Sequence, residues 1–249
     1  WGQKWESAWF HLQGEIPGNW AGKSIAAELD FSGEGLVFDS EGTALQGITT
    51  GSIWDPNFSR TRVPLIGSST GGEKIDLWVE AAANSLFGVF TDPDPAQESP
   101  KRHGWFDAKV EKMQVGIFDK ELWHLYLDVR ILLGLVKRLD EKSVRRSRAI
   151  LALNNCVNAF GDDLMRVKQA RECLKTELSK PATASDLNVA AIGHAHIDTG
   201  WLWPVRETVR KCARTYATQL SIIDNYPDYI FGASQPQHYQ FIKDTYPEL

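Results

Sequence analysis

Gly193-His-Ala-His-Ile-Asp-Thr-Gly-Trp-Leu-Trp-Pro204 lies between a short apolar run, Asn188-Val-Ala-Ala-Ile-Gly193, and a helical pattern. In that pattern Val205, Val209, Cys212, Tyr216, Leu220 and Ile223 recur at spacings of three and four, and the run stops before Asn225-Tyr-Pro227. Pro204 suits the first turn of such a helix. A second apolar run, Tyr229-Ile-Phe-Gly-Ala233, follows. Strand, helix and strand in this order predict a parallel βαβ unit, the start of an α/β domain. Open α/β sheets bind ligands beyond the carboxyl ends of their strands. Here those ends carry His194-Ala-His196-Ile-Asp198 and Ser234-Gln-Pro-Gln237, so the function is expected there.

Alternate residues of an extended chain share one face, which places His194, His196 and Asp198 together. Two imidazoles and a carboxylate suit zinc, whose nitrogen and oxygen ligands lie at about 2.0–2.2 Å. A hydrogen-bonded structural cluster is the competing reading. Trp201 and Trp203 add flat apolar faces on which a sugar ring can rest. Core packing is the alternative role, more so for Trp203 than for Trp201. Gly200 is expected to let the backbone approach the site closely.

Upstream the pattern changes twice. Residues 1–112 are rich in Gly and Trp, with short apolar runs at Ile25–Phe31, Gly35–Phe38, Gly51–Trp54 and Ile75–Val79. They read as strands of an antiparallel β-sandwich or jelly roll. Asp92-Pro-Asp-Pro95 through Ser99-Pro100 reads as a loop. Residues 113–186 read as a helical segment. Its first helix is capped at Asp119, with Leu122, Tyr126, Val129, Leu133 and Val136 on one face and Lys137 and Arg138 in the last turn. Further helices begin near Ser143 and near Asp162 or Asp163. Residues 187–249 then open the α/β domain, so the expected architecture is multidomain: sandwich, helical linker, βαβ unit.

Composition narrows the partners. A net charge of −5 argues against a dedicated nucleic-acid binder, and no apolar run reaches the roughly 20 residues of a membrane span. Charge is uneven: residues 1–100 hold 5 basic and 14 acidic groups, and 101–186 hold 17 and 12. Cys156, Cys173 and Cys212 are too few and too scattered for a disulfide framework, which favours a reducing compartment. Trp1 in place of Met, with helix-like sequence running to Leu249, suggests a piece of a longer polypeptide.

The stretch 193–204 resembles the metal-binding signature of glycoside hydrolase family 38 α-mannosidases. Arg206-Glu-Thr208, Arg210-Lys211, Ser234-Gln-Pro-Gln237 and Tyr246-Pro-Glu-Leu249 are similar to that family as well. The Ile-Asp-Thr form resembles the cytosolic, vacuolar and bacterial branch; Gly200 replaces the Ala common there. Strong similarity covers residues 187–249, and residues 1–186 resemble more loosely the segments preceding catalysis in that branch. The resemblance implies a zinc-dependent, retaining exo-α-mannosidase acting on terminal α-mannose of glycans, with one zinc per site and a cytoplasmic location. It implies His196 and Asp198 as zinc ligands, Trp201 stacked on mannose, and His194 beside the ligands instead of among them, against the spacing argument. It also places the nucleophile and the acid/base beyond Leu249, so no catalytic carboxyl group is expected within residues 1–249. The implied partners are α-mannoside glycans, the remainder of the catalytic domain and a second copy of the chain. Two other readings compete: a metal-dependent hydrolase of the amidohydrolase type, and a non-catalytic carbohydrate-binding or assembly module built on the seven tryptophans of residues 1–110.

Overall fold

The computed structural model describes residues 1–3, 5–51, 58–84, 109–181 and 189–249. Seven strands form the first layer pair: β1 (Ser7–Glu15), β2 (Ile25–Asp30), β3 (Glu34–Phe38), β4 (Ala44–Ile48), β5 (Arg62–Ile66), β6 (Lys74–Ala82) and β7 (Lys112–Ile117). One antiparallel sheet runs β1-β6-β3-β4 and the other β5-β2-β7. Ile25, Ala27 and Leu29 of β2 meet Val37, Ile75, Leu77 and Val79 of the facing sheet, and Ile16, Phe31 and Val63 close the core. Alternation along each strand sends every second side chain into this layer, the arrangement expected of a sandwich. Pro64 is tolerated because β5 lies at a sheet edge.

The expected strands at residues 25–31, 35–38 and 75–79 are present as β2, β3 and β6. Most of the expected Gly51–Trp54 strand, and the expected loop at residues 92–100, lie outside the described residues. β7 pairs with β2 from Lys112 to Ile117, so the residue expected to end the β-rich segment is the first of a strand.

A second compact unit, residues 118–189, is helical: α1 (Lys120–Arg138), α2 (Val144–Phe160) and α3 (Val167–Leu178). The Asp119 carboxylate accepts the Leu122 N–H at 3.0 Å, and Lys137 and Arg138 occupy the last turn of α1. Ser143 caps α2 by position, without a side-chain hydrogen bond. A single 3₁₀ turn at Leu164–Arg166 precedes α3, with Asp163 accepting from Met165 N–H at 2.9 Å. Leu125, Leu132, Ala149, Ala152, Val167, Ala170 and Leu174 are its buried seam.

The last segment rejoins the sandwich in one unit. It consists of β8 (Gly193–His194), α4 (Val205–Asn225), β9 (Phe231–Gly232) and α5 (Pro236–Thr245). β8 and β9 pair in parallel, Gly193 with Phe231 and His194 with Gly232. The βαβ order is therefore present, but its strands are much shorter than the apolar runs around them. Val189, Ile192 and Ile230 stay exposed, because a strand ladder extends only as far as a neighbour supplies partners. Pro204 takes the N-cap of α4, one position before the first turn.

α4 packs on the outer face of β3 and β4. Leu36 and Phe38 join Ile197, Cys212, Ala213, Ala217 and Ile242 in a shared apolar cluster. Gly47 N–H donates to Thr218 Oγ1 at 3.0 Å, and a Cβ there would sit 2.7 Å from the Arg214 carbonyl oxygen. Only a glycine lets helix and sheet come this close. Beside the apolar cluster runs a buried polar network. Glu34 accepts from Lys211 at 2.8 Å, Arg214 at 2.9 Å and Asn84 at 3.0 Å. Glu207 accepts from Arg214 and, at 2.9 Å, from Asn84. Arg210 adds Glu80 at 2.8 Å and Ser7 at 3.1 Å. Burial by itself would raise the Glu34 carboxyl, but Lys211 and Arg214 overcome it and hold it down at about 2.

Candidate metal and sugar site

β8 ends at His194, and strand pairing stops there. Beyond it the His196 and Asp198 side chains meet, with Nε2 to Oδ1 at 3.1 Å. Both are accessible: the His196 side chain is 73% exposed and that of Asp198 41%. His194 is exposed but does not join them, and among the described residues no three His, Cys, Asp or Glu side chains converge on one point. The expected face of three thus becomes a pair: His196 and Asp198, two positions apart, keep the period-two relation, and His194 does not converge with them. His194 and His196 both open on a cleft of about 620 Å³, whose other wall is Ile48, Thr49 and Arg60 of the sandwich.

The pair fits a divalent metal. Two ligands on a tetrahedral zinc at about 2.0–2.2 Å lie about 3.3–3.6 Å apart, so the 3.1 Å pair needs to open by only a few tenths of an ångström to hold the ion. Imidazole nitrogen with carboxylate oxygen is also the donor chemistry zinc takes.

Residues 199–204 fold tightly against the start of α4. Gly200 has φ +77°, while a Cβ there would meet only Val205 at 3.4 Å. Its glycine is required by backbone conformation rather than by the close approach expected from sequence. Trp201 stands 56% exposed, and its ring meets Trp203 edge-to-face at 5.4 Å. Trp203 is half-buried; its indole N–H reaches the Asp198 carbonyl oxygen at 3.2 Å and Thr208 Oγ1 at 3.1 Å. Lys211 Nζ lies 4.8 Å from the Trp203 ring centroid, a cation–π contact. On the far side Thr199 Oγ1 pairs with His238 Nε2 at 2.9 Å. His238 is buried on α5, and burial, with His196 nearby, pushes its imidazole below the ordinary value.

Thr208, His238, Lys211 and Glu34 are site-supporting residues to which sequence reading gave no role. Arg206-Glu-Thr208 and Arg210-Lys211 stood in the resemblance only as matching residues. An indole N–H needing a buried acceptor near Trp203 was the one signal pointing to Thr208.

Comparison with known proteins bears on the family. Residues 1–114 match the model described as α-mannosidase, jelly roll domain, and residues 186–249 match the glycosyl hydrolases family 38 N-terminal domain. The chain resembles α-mannosidases of glycosyl hydrolase family 38. Across all 250 aligned residues it is 33% identical to α-mannosidase G of Dictyostelium discoideum, covering 22% of that protein. It is 29% identical to human α-mannosidase 2C1 and 29% identical to an α-mannosidase of Saccharomyces cerevisiae, covering 23% of each. The chain therefore spans less than a quarter of the length of these relatives. Its sandwich is the jelly roll that the first match describes.

Proposed function

We propose that the full-length protein is a zinc-dependent exo-α-mannosidase that releases terminal α-mannose from glycans with retention. The observation carrying this is the His196–Asp198 pair, 3.1 Å apart, tied through the Asp198 carbonyl oxygen to the Trp203 indole, on whose ring the exposed Trp201 packs. When bound, zinc would supply charge stabilisation and a template for sugar hydroxyls. His196 and Asp198 would hold it. Trp201 would orient the terminal ring against its flat face, and His194 would line the approach to His196. Retaining hydrolysis uses two carboxyl groups about 5–5.5 Å apart, as nucleophile and acid/base. In this proposal both come from the longer polypeptide. Among the described residues no helix is long and apolar enough to cross a membrane, and the three cysteines are free. A reducing, cytoplasmic location agrees with those thiols.

Trp201→Ala in the full-length protein tests the sugar side of this reading. Loss of a stacked ring worth about 0.5–1.5 kcal/mol corresponds to a roughly 2- to 10-fold fall in kcat/KM on an aryl α-mannoside. The melting temperature is expected to stay near that of the unsubstituted protein. A large drop in melting temperature with unchanged kinetics would assign Trp201 to packing.

A further inference from the structure

The turn from Asp198 to Trp203 is closed on a single hydroxyl. Thr208 is fully buried in the first turn of α4. Its Oγ1 accepts the Gly200 N–H at 3.0 Å and the Trp203 indole N–H at 3.1 Å, and donates to the Asp198 carbonyl oxygen at 3.2 Å. A hydroxyl has one hydrogen to give and two lone pairs to share, and here all three are used. The partners bracket Trp201 in sequence: Asp198 and Gly200 precede it and Trp203 follows. Trp203 is also held from its ring face by Lys211, which Glu34 of the sandwich anchors at 2.8 Å.

We propose that Thr208 is a positioning residue: its hydroxyl sets the backbone that carries the Asp198 carboxylate and the Trp201 ring, and through them metal affinity and sugar binding. It touches neither ligand. This rests on the reading of His196 and Asp198 as zinc ligands. Removing the hydroxyl leaves the Gly200 N–H without its acceptor and the Asp198 carbonyl with the Trp203 indole N–H alone, so the turn must rearrange to recover the lost bonds. Groups that orient metal ligands from behind typically change metal affinity by about 10- to 100-fold when removed.

The test compares Thr208→Val, which keeps the shape and loses the hydroxyl, with Thr208→Ser, which keeps the hydroxyl, both in the full-length protein. Zinc affinity is read by competition with a chromogenic chelator, kcat and KM on an aryl α-mannoside, and folding by melting temperature. Thr208→Val is expected to weaken zinc binding by about 10- to 100-fold, and Thr208→Ser to restore it. A displaced ligand and platform should also lower kcat/KM by up to about 100-fold. Native zinc affinity in Thr208→Val, even with a lowered melting temperature, would overturn the proposal and leave Thr208 a fold-stabilising residue. Should Thr208→Val fail to fold, Trp203→Phe removes one donor to the same hydroxyl. It is expected to weaken zinc in the same direction by a smaller factor, and native affinity there would likewise overturn the proposal. The unsubstituted protein is titrated first. Failure of that protein to bind zinc would overturn the ligand assignment, and this inference with it, before any variant is compared.

Discussion

Asp198→Ala in the full-length protein is expected to weaken zinc binding by more than about 100-fold, beyond what groups behind the ligands contribute, and to abolish turnover of an aryl α-mannoside. His194→Ala is expected to cost about tenfold or less, because His194 stands beside the His196–Asp198 pair and does not converge with it. The asymmetry follows from the geometry: His196 and Asp198 meet at 3.1 Å and His194 does not join them. Zinc titration of both variants by competition with a chelator checks this. Equal losses from the two substitutions would show that His194 is a ligand and that the spacing argument holds for all three residues.

Glu34→Gln is expected to destabilise the protein by about 3–5 kcal/mol, since it leaves Arg214 and Lys211 without the carboxylate they share in a buried setting. The same carboxylate makes stability pH-dependent. Its folded value of about 2 lies below the ordinary 4.5, so its contribution is fully present above about pH 5 and is lost as pH falls towards 2. A shift of that size corresponds to on the order of 3 kcal/mol at neutral pH. Melting temperatures of the unsubstituted protein and Glu34→Gln between pH 7 and pH 3 read both effects. The unsubstituted protein should lose stability over the acid end of this range, and the variant should start lower and fall less. Superimposable curves would mean that the sandwich and α4 are not held by this network.

The elements legible in the sequence were those whose signal is local. Asp119 announces α1 because its carboxylate caps a backbone N–H three residues away, and Leu122 N–H is found on it. β2, β3 and β6 were visible because buried positions cluster in short runs between glycines. β1 was missed because Trp9, His11 and Leu12 mix aromatic, polar and apolar character on both faces. β7 was missed because only Val115 packs on the core, while Met113 and Ile117 on the same face stay about half exposed at a sheet edge. At the site, the residue types at 194–203 and their chemistry were readable, and the separation of His194 from the pair was not. Least readable was the seating of α4 on the sandwich. Glu34 and Arg214 lie 180 residues apart, and nothing in either segment alone indicates that they meet. Gly47 is a single glycine among many until the Arg214 carbonyl oxygen is seen against it.

Metal dependence tests the central claim most directly. The full-length protein is stripped exhaustively with a chelator, its zinc content is measured, and its rate on an aryl α-mannoside is followed as zinc is returned. The account predicts activity that disappears with the metal and returns at one zinc per chain, with no recovery in Asp198→Ala. Full activity in metal-free protein would contradict it.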